Sequence, residues 1–387
     1  MSLQPLSLTS STPTPDWTVL WVNNLNLSLA EVVLSVVLLS FVIIAELLTS
    51  ILYFWADSLP ISTSVVRTPA KNFEISRSLG FNFQPNFVKL PGIPRVHYLD
   101  EGPADAVQVL ILLHGEPFWS FCWTKVIPDL SRRARVIVPD FVGFGLSDKF
   151  VDWRKYDLNL HKRTLSGLLS YLGIDGRSHE VILVGHNWGW MVGAAVAREQ
   201  PNLFSKMVIL NTNNLPDGEA VVSRYRDKST WSRFMVSNSF FLAFRSSIHL
   251  LRGYFPLGLM MKSLNIKYTK SDVAALISPW PSSEYCGGVT AFPLMVPVFP
   301  SHPEAKEMTL VRQFLSSWQK PVMVLYSDSS LLPWLEFGDF VVGRRAEFYH
   351  LLIPGVVKVR RLGGEVGHLL MYDNPREVVK EVLEFMK

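Results

Sequence analysis

Apolar positions along the chain of 387 residues fall into two regimes. Between Glu31 and Asp57 lie 25 residues, Val32 to Ala56, broken by a single charge, Glu46. At about 1.5 Å per residue such a run reaches roughly 37 Å as a helix, enough to cross a ~30 Å hydrocarbon layer with some tilt. A central acid costs a few kcal/mol, which the surrounding Leu, Val and Ile offset and protonation relieves. Tyr53, Phe54 and Trp55 stand near the exit end, where interfacial aromatics collect. The pattern predicts a transmembrane helix over 32–56, in preference to a buried or interfacial amphipathic helix. From residue 87 onward, short apolar runs alternate with helical spacing instead. Val109–Leu113, Arg135–Val138, Val181–Val184, Met207–Leu210, Val322–Leu325 and Val357–Val359 read as strands. The first five are continuous apolar runs, as strands covered on both faces should be. Helical patterns follow over about 157–173, 188–200 and 376–386. The alternation predicts an α/β fold with a mostly parallel, doubly wound sheet. Between about 215 and 305 the strand rhythm stops, and Phe, Met, Leu, Trp and Ser recur at helical spacing. That segment reads as a helical cap over the carboxyl ends of the strands, where such sheets bind ligands.

The expected organisation is therefore an N-terminal tail over 1–31, the span over 32–56, a linker over 57–86 and one domain over 87–387. No Lys or Arg precedes Arg67, which argues against a cleaved signal peptide. Arg67, Lys71 and Arg77 follow the span, so the positive-inside rule predicts a single-pass membrane protein with its large domain in the cytosol and the lipid bilayer as a partner. The sequon Asn26-Leu27-Ser28 lies too near the expected bilayer to carry weight. Hydrophobic residues are 48% and charged residues 18%, which excludes a disordered chain. A net charge of +4 without a basic block argues against nucleic acid as a partner. Cys122 and Cys286 stand alone, and the histidines lack His-x-x-x-His spacing, so neither a disulfide scaffold, a metal nor another cofactor is expected.

The candidate chemistry sits at the ends of the strands. Gly185-His186-Asn187-Trp188-Gly189 joins an expected strand to an expected helix, with small residues two before and two after the centre. That is the pattern of a nucleophile elbow, a sharp turn that pushes Asn187 out above the sheet and aims helix N–H groups at developing charge. His114-Gly115-Glu116-Pro117 follows the strand at 109–113, the place for a second oxyanion N–H from the residue after the glycine. Asp328 follows the strand at 322–325, and His368 follows the last strand. The order elbow, acid, histidine is that of the α/β-hydrolase triad, in which an acid fixes a histidine that activates water or a nucleophile.

On these residues the chain resembles the haloalkane dehalogenases of the α/β-hydrolase superfamily, with the epoxide hydrolases next. The resemblance covers nearly all of 87–387. It rests on His-Gly-Glu-Pro at 114–117 followed by Phe118-Trp119-Ser120, on Asp140-Phe-Val-Gly-Phe-Gly-Leu-Ser-Asp-Lys149, and on the elbow. It extends into the cap through Pro279-Trp-Pro-Ser-Ser-Glu-Tyr-Cys-Gly-Gly288 and Ala291-Phe-Pro293. It implies that an elbow carboxylate attacks the carbon bearing halogen, that histidine-activated water cleaves the resulting ester, and that the tryptophan after the nucleophile binds the leaving halide. Trp188 then matches the halide donor, Asp328 the acid and His368 the base. The backbone N–H groups of Glu116 and Trp188 match the oxyanion hole.

Two departures weigh against unaltered dehalogenase chemistry. Asn187 replaces the aspartate, and an uncharged amide oxygen is a far weaker nucleophile. Alignment through Phe241–Arg245 puts Phe244 in the cap pocket where the resembling subfamily carries a second tryptophan, and phenylalanine has no N–H to give. Asn187 is open to three readings: a decayed nucleophile, a residue that water activated by His368 converts to aspartate, or a ligand-binding group. The expected function is a hydrolase for small apolar or lipid-derived substrates. The alternatives are a ligand-binding or sensor protein that keeps the pocket and, more remotely, an epoxide hydrolase using cap tyrosines among Tyr225, Tyr254, Tyr268 and Tyr285. His186 reads as a residue that orients the elbow, and the cap aromatics as apolar wall.

Overall fold

The computed structural model describes residues 60–212, 268–297, 302–327, 345–363 and 366–387, together with Ser40 and Ile44. The strands in chain order are β1 (Val65–Val66), β2 (Asn86–Val88), β3 (Val96–Glu101), β4 (Gln108–Leu113), β5 (Arg135–Pro139), β6 (Lys149–Phe150), β7 (Glu180–His186), β8 (Phe204–Leu210), β9 (Val322–Tyr326) and β10 (Val356–Arg361). The longer helices are α1 (Leu158–Tyr171), α2 (Trp188–Glu199), α3 (Lys270–Ile277), α4 (Gly287–Leu294), α5 (Ala305–Ser316), α6 (Arg345–Leu352) and α7 (Pro375–Met386). Eight strands form one sheet in the order β10-β9-β8-β7-β4-β5-β3-β2. β2 and β3 pair antiparallel, as do β3 and β5, and the remaining neighbours are parallel.

Each apolar run expected as a strand lies within one. In β4, Val109 through Leu113 are all 0% exposed, the condition of a strand covered on both faces. Each buried Leu or Ile there contributes about 1.5–3 kcal/mol. α2 packs beside them with small residues, Ala194, Ala195 and Ala197, on buried positions. α7 is amphipathic and buries Val378, Val379, Val382 and Met386. β3 escapes the apolar pattern because it carries His97 inside. The ring of that residue is fully buried and meets Asp140 at 2.7 Å. The chain leaves β4 toward β5 on one side and reaches β7 on the other, so a topological switch point lies between the carboxyl ends of β4 and β7.

The membrane localisation expected from the sequence is corrected by the structure. No helix among the described residues is long and apolar enough to cross a membrane. Among them α1, at 14 residues, is the longest, short of the ~20 a span requires. The run 32–56 that prompted the expectation lies outside the described residues, apart from Ser40 and Ile44, which are exposed. Among the described residues nothing supports the bilayer as a partner or the cytosolic orientation.

Residues 57–86, expected as a linker, carry structure from Val65 onward. β1 pairs antiparallel with β6, and the Arg67 guanidinium donates to both carboxylate oxygens of Asp148 at 2.8 and 3.0 Å. Phe73 and Phe81 are buried and meet the Trp119 ring edge-on at 5.3 and 4.9 Å. The same stretch braces the cap, since Thr68 Oγ1 donates to the Pro279 carbonyl at 2.6 Å. The cap is further seated by Trp280 Nε1 donating to the Gly143 carbonyl at 3.1 Å and by Tyr372 OH donating to Asp272 Oδ1 at 2.6 Å.

Candidate active site

The elbow forms where β7 ends and α2 begins. Asn187 takes φ 52° and ψ −123°, a left-handed conformation that is costly for a residue with a side chain. Neighbouring contacts hold it there. Asn187 N–H donates to the Leu210 carbonyl at 3.3 Å and to Thr212 Oγ1 at 3.0 Å, and Trp190 N–H donates to the Asn187 carbonyl at 3.1 Å. A side chain on Gly189 would overlap the carbonyls of Leu113 and His114, and one on Gly115 would overlap Asn187 itself. The turn therefore sits close against the loop that leaves β4.

That closeness brings two backbone N–H groups onto one oxygen. Asn187 Oδ1 accepts the N–H of Trp188 at 2.7 Å and the N–H of Glu116 at 3.4 Å. The two donors that the sequence assigns to the hole thus converge, and the oxygen they meet belongs to the residue in the nucleophile's place. His114 fixes the loop. Its Nε2 accepts the Phe141 N–H at 3.0 Å, so its Nδ1 carries the proton and donates to the Gly115 carbonyl at 2.9 Å. Burial lowers the pKa of this ring and keeps it neutral. Burial also pushes the Glu116 carboxyl up to about 8, so it is protonated at neutral pH.

Behind this loop stands a buried aspartate–histidine pair. Asp140 Oδ2 meets His97 Nδ1 at 2.7 Å and accepts the Leu146 N–H at 2.9 Å, while Oδ1 accepts the Ser120 N–H at 2.7 Å. Burial acts to raise the Asp140 pKa, but the contact with His97 and the Ser120 N–H outweigh it and hold the group at about 2. Lys149, at the end of the same motif, is buried and donates to the carbonyls of Gly145 and Ser147 at 2.8 and 2.9 Å. These motif residues shape the loops around the site.

His368 is fully buried beside the elbow. Its carbonyl accepts from His186 Nε2 at 3.1 Å and from Asn211 Nδ2 at 3.1 Å. The rings of His186 and His368 lie 4.7 Å apart, and Phe118 packs against His368 at 5.9 Å. His186, next to Asn187, thus ties the histidine arm to the elbow. Asn211 was not singled out from the sequence, yet it joins three strand ends. It bonds the His368 arm, donates to Ser327 Oγ at 2.8 Å, and accepts the Ser327 N–H at 2.9 Å. Its neighbour Thr212 holds Asn187. A polar Asn-Thr pair directly after an apolar strand was the available signal. Asp328, the expected acid, lies outside the described residues, one position beyond Ser327.

On the cap side, Phe292 of α4 meets the Trp188 indole edge-on at 5.0 Å, and Phe144 and His161 pack on Phe292 at 5.0 and 4.6 Å. Trp188 is 5% exposed. Phe292 was read only as wall, and the structure places it against the expected halide donor. Phe244, Tyr225 and Tyr254 lie outside the described residues. Tyr268 packs its ring against Tyr372 at 6.0 Å, at the cap's seat.

Comparison with known proteins agrees with this fold. The family described as alpha/beta hydrolase fold matches residues 108–332, more than half of the chain. A haloalkane dehalogenase from Psychrobacter cryohalolentis is 30% identical over 329 residues, covering 83% of this chain and 98% of that protein. A cis-3-alkyl-4-alkyloxetan-2-one decarboxylase from Xanthomonas campestris is 40% identical over 144 residues, covering 35% of this chain and 46% of that protein. Among solved structures, the tetrameric haloalkane dehalogenase DpaA from Paraglaciecola agarilytica superposes with a TM-score of 0.67 at 25% identity, covering 83% of this chain and 98% of that one.

Proposed function

Because the chain belongs to the α/β-hydrolase fold family and is haloalkane dehalogenase-like, we propose that it hydrolyses small apolar, alkyl-bearing electrophiles at the site around Asn187. The observation that carries this reading is the meeting of the Glu116 and Trp188 N–H groups on the side-chain oxygen of residue 187, with the His368 arm bonded to the adjacent His186. Those parts serve hydrolysis of an acyl centre at position 187. The two N–H groups stabilise a developing oxyanion, and His368, with Asp328 as its acid, activates water. Trp188 backed by Phe292 forms the apolar side that receives the leaving group. Two relatives are named for alkyl compounds, haloalkanes and dialkyl oxetanones, which suits a substrate held by aromatic walls rather than by charge.

The asparagine determines how much of this chemistry runs. A carboxylate at position 187 attacks an alkyl carbon; an amide does so far more weakly. Haloalkane, ester and epoxide panels presented to the chain as it stands and to Asn187→Asp test the reading. Turnover of the substituted form exceeds that of chain whose Asn187 amide is intact by roughly 10⁴-fold or more, the scale of removing a member of a catalytic unit, and His368→Ala abolishes it. Ligand binding without turnover in either form contradicts the hydrolase reading and makes the chain a binding protein that has kept the pocket.

A further inference from the structure

We infer that the first substrate of this site is the protein itself: the geometry points to hydrolysis of the Asn187 carboxamide to a carboxylate, a self-modification that supplies the missing nucleophile. The inference rests on the proposed reading that His368 activates water. Asn187 Oδ1 lies where an oxyanion would, 2.7 Å from Trp188 N and 3.4 Å from Glu116 N. Donors placed on a carbonyl oxygen draw electrons from its carbon and stabilise the tetrahedral adduct that forms when that carbon is attacked. A substrate's own oxyanion would have to displace this oxygen. The carbon set up for attack is therefore Cγ of Asn187.

The same hydrogen bond closes the usual route of asparagine breakdown. That route needs the backbone nitrogen of the next residue to attack Cγ and close a succinimide. Here Trp188 N points its proton at Oδ1 and opens α2, so it acts as a donor toward the amide it would have to attack. Its bulky side chain crowds ring closure further. Conversion at this position must come from water. The base lies beside the elbow, since the His368 carbonyl accepts from His186 Nε2 and the two rings meet edge-on at 4.7 Å.

The steps balance without a further reactant. Water oxygen bonds to Cγ while His368 takes a water proton, and the negative charge collects on Oδ1 between the two N–H groups. The imidazolium then returns the proton to Nδ2, the Cγ–N bond breaks, and ammonia leaves. The side chain remains as a carboxylic acid, which ionises and gives its proton to ammonia. The product is the residue that the elbow of a haloalkane dehalogenase requires.

Peptide mapping of the full chain, followed over time at neutral pH after purification, tests this directly. The elbow peptide gains one mass unit, one ammonia is released per chain, and the product is α-aspartate alone. His368→Ala and His368→Gln, each confirmed as folded by thermal melting, slow the conversion roughly 10²- to 10⁴-fold, the usual contribution of a general base. The same peptide in urea stays an amide over the same period. A persistent amide in the folded wild type overturns the inference, as does conversion that ignores His368, or isoaspartate, the mark of the succinimide route. The two proposals fail separately. A chain that never converts while Asn187→Asp turns over alkyl substrates sinks the self-modification and leaves the hydrolase reading. A chain that converts yet stays inert sinks the hydrolase reading alone.

Discussion

Glu116 meets the site through two different atoms. Its N–H donates to Asn187 Oδ1, while desolvation pushes its half-buried carboxyl up from 4.5 to about 8. An acid whose folded pKa lies above its unfolded one binds a proton in the native state that the unfolded chain has released. Stability therefore falls as pH rises from the unfolded value to the folded one, and levels off above it. Glu116→Gln keeps the N–H and removes the titration. It should flatten the decline in Tm between about pH 5 and about pH 8, the window set by that shift. A variant with the same pH slope as wild type shows that Glu116 ionises normally. Asn211 is the other single residue on which the site's shape depends. Asn211→Leu leaves the Ser327 N–H without its partner and removes one of the two donors to each of the Gly367 and His368 carbonyls. A buried orphan costs about 1–3 kcal/mol. The expected result is a lower denaturation midpoint together with loss of any His368-dependent reaction, read by urea melts and by peptide mapping.

At the scale of elements, the ends of β4, β5, β7 and β8 carry the site, and the loops between them are held by buried polar residues. Asp140 is the hub after β5. Replacing it by asparagine turns one of its oxygens into a donor facing the Ser120 N–H, or the Leu146 N–H and His97. Breaking such a buried pair costs about 3–5 kcal/mol, so Asp140→Asn should lower the Tm sharply; a change within error shows that the loop is held otherwise. This mixture of apolar strand and polar hub also explains what sequence could show. β4, β5, β7, β8 and β9 were legible because strands buried on both faces need unbroken apolar runs. β3 was hidden because His97 sits inside it and only its distant partner Asp140 makes that burial tolerable. The elbow, Glu116 and His368 were legible from spacing and order, whereas Asn211 acts through contacts between strand ends that no local pattern records. Phe292 stood in a quoted motif, but an aromatic side chain in a cap reads as wall until its ring is seen against Trp188.

At the scale of the whole molecule, three bodies of sequence that are distant along the chain share one seat. Residues 65–81 clamp the loop at 140–150 through Arg67 and the cap through Thr68, and they bury Phe73 and Phe81 against Trp119. Fully burying a phenylalanine contributes about 1.5–3 kcal/mol. A chain begun at residue 87 should therefore melt well below one begun at residue 60, and equal melting temperatures contradict the clamp. Tyr372, four residues past His368, links the arm to the cap through Asp272, so the cap and His368 rest on the same footing.

The proposed chemistry requires position 187 to be the atom-transfer centre of this fold. Single turnover of Asn187→Asp with an alkyl halide in water enriched in heavy oxygen reads this most directly. Water that cleaves an ester at the elbow leaves its oxygen on the enzyme, so the elbow peptide should carry the label and the released alcohol should not. Label found only in the alcohol means that water attacked the substrate itself, and that residue 187 is not the nucleophile.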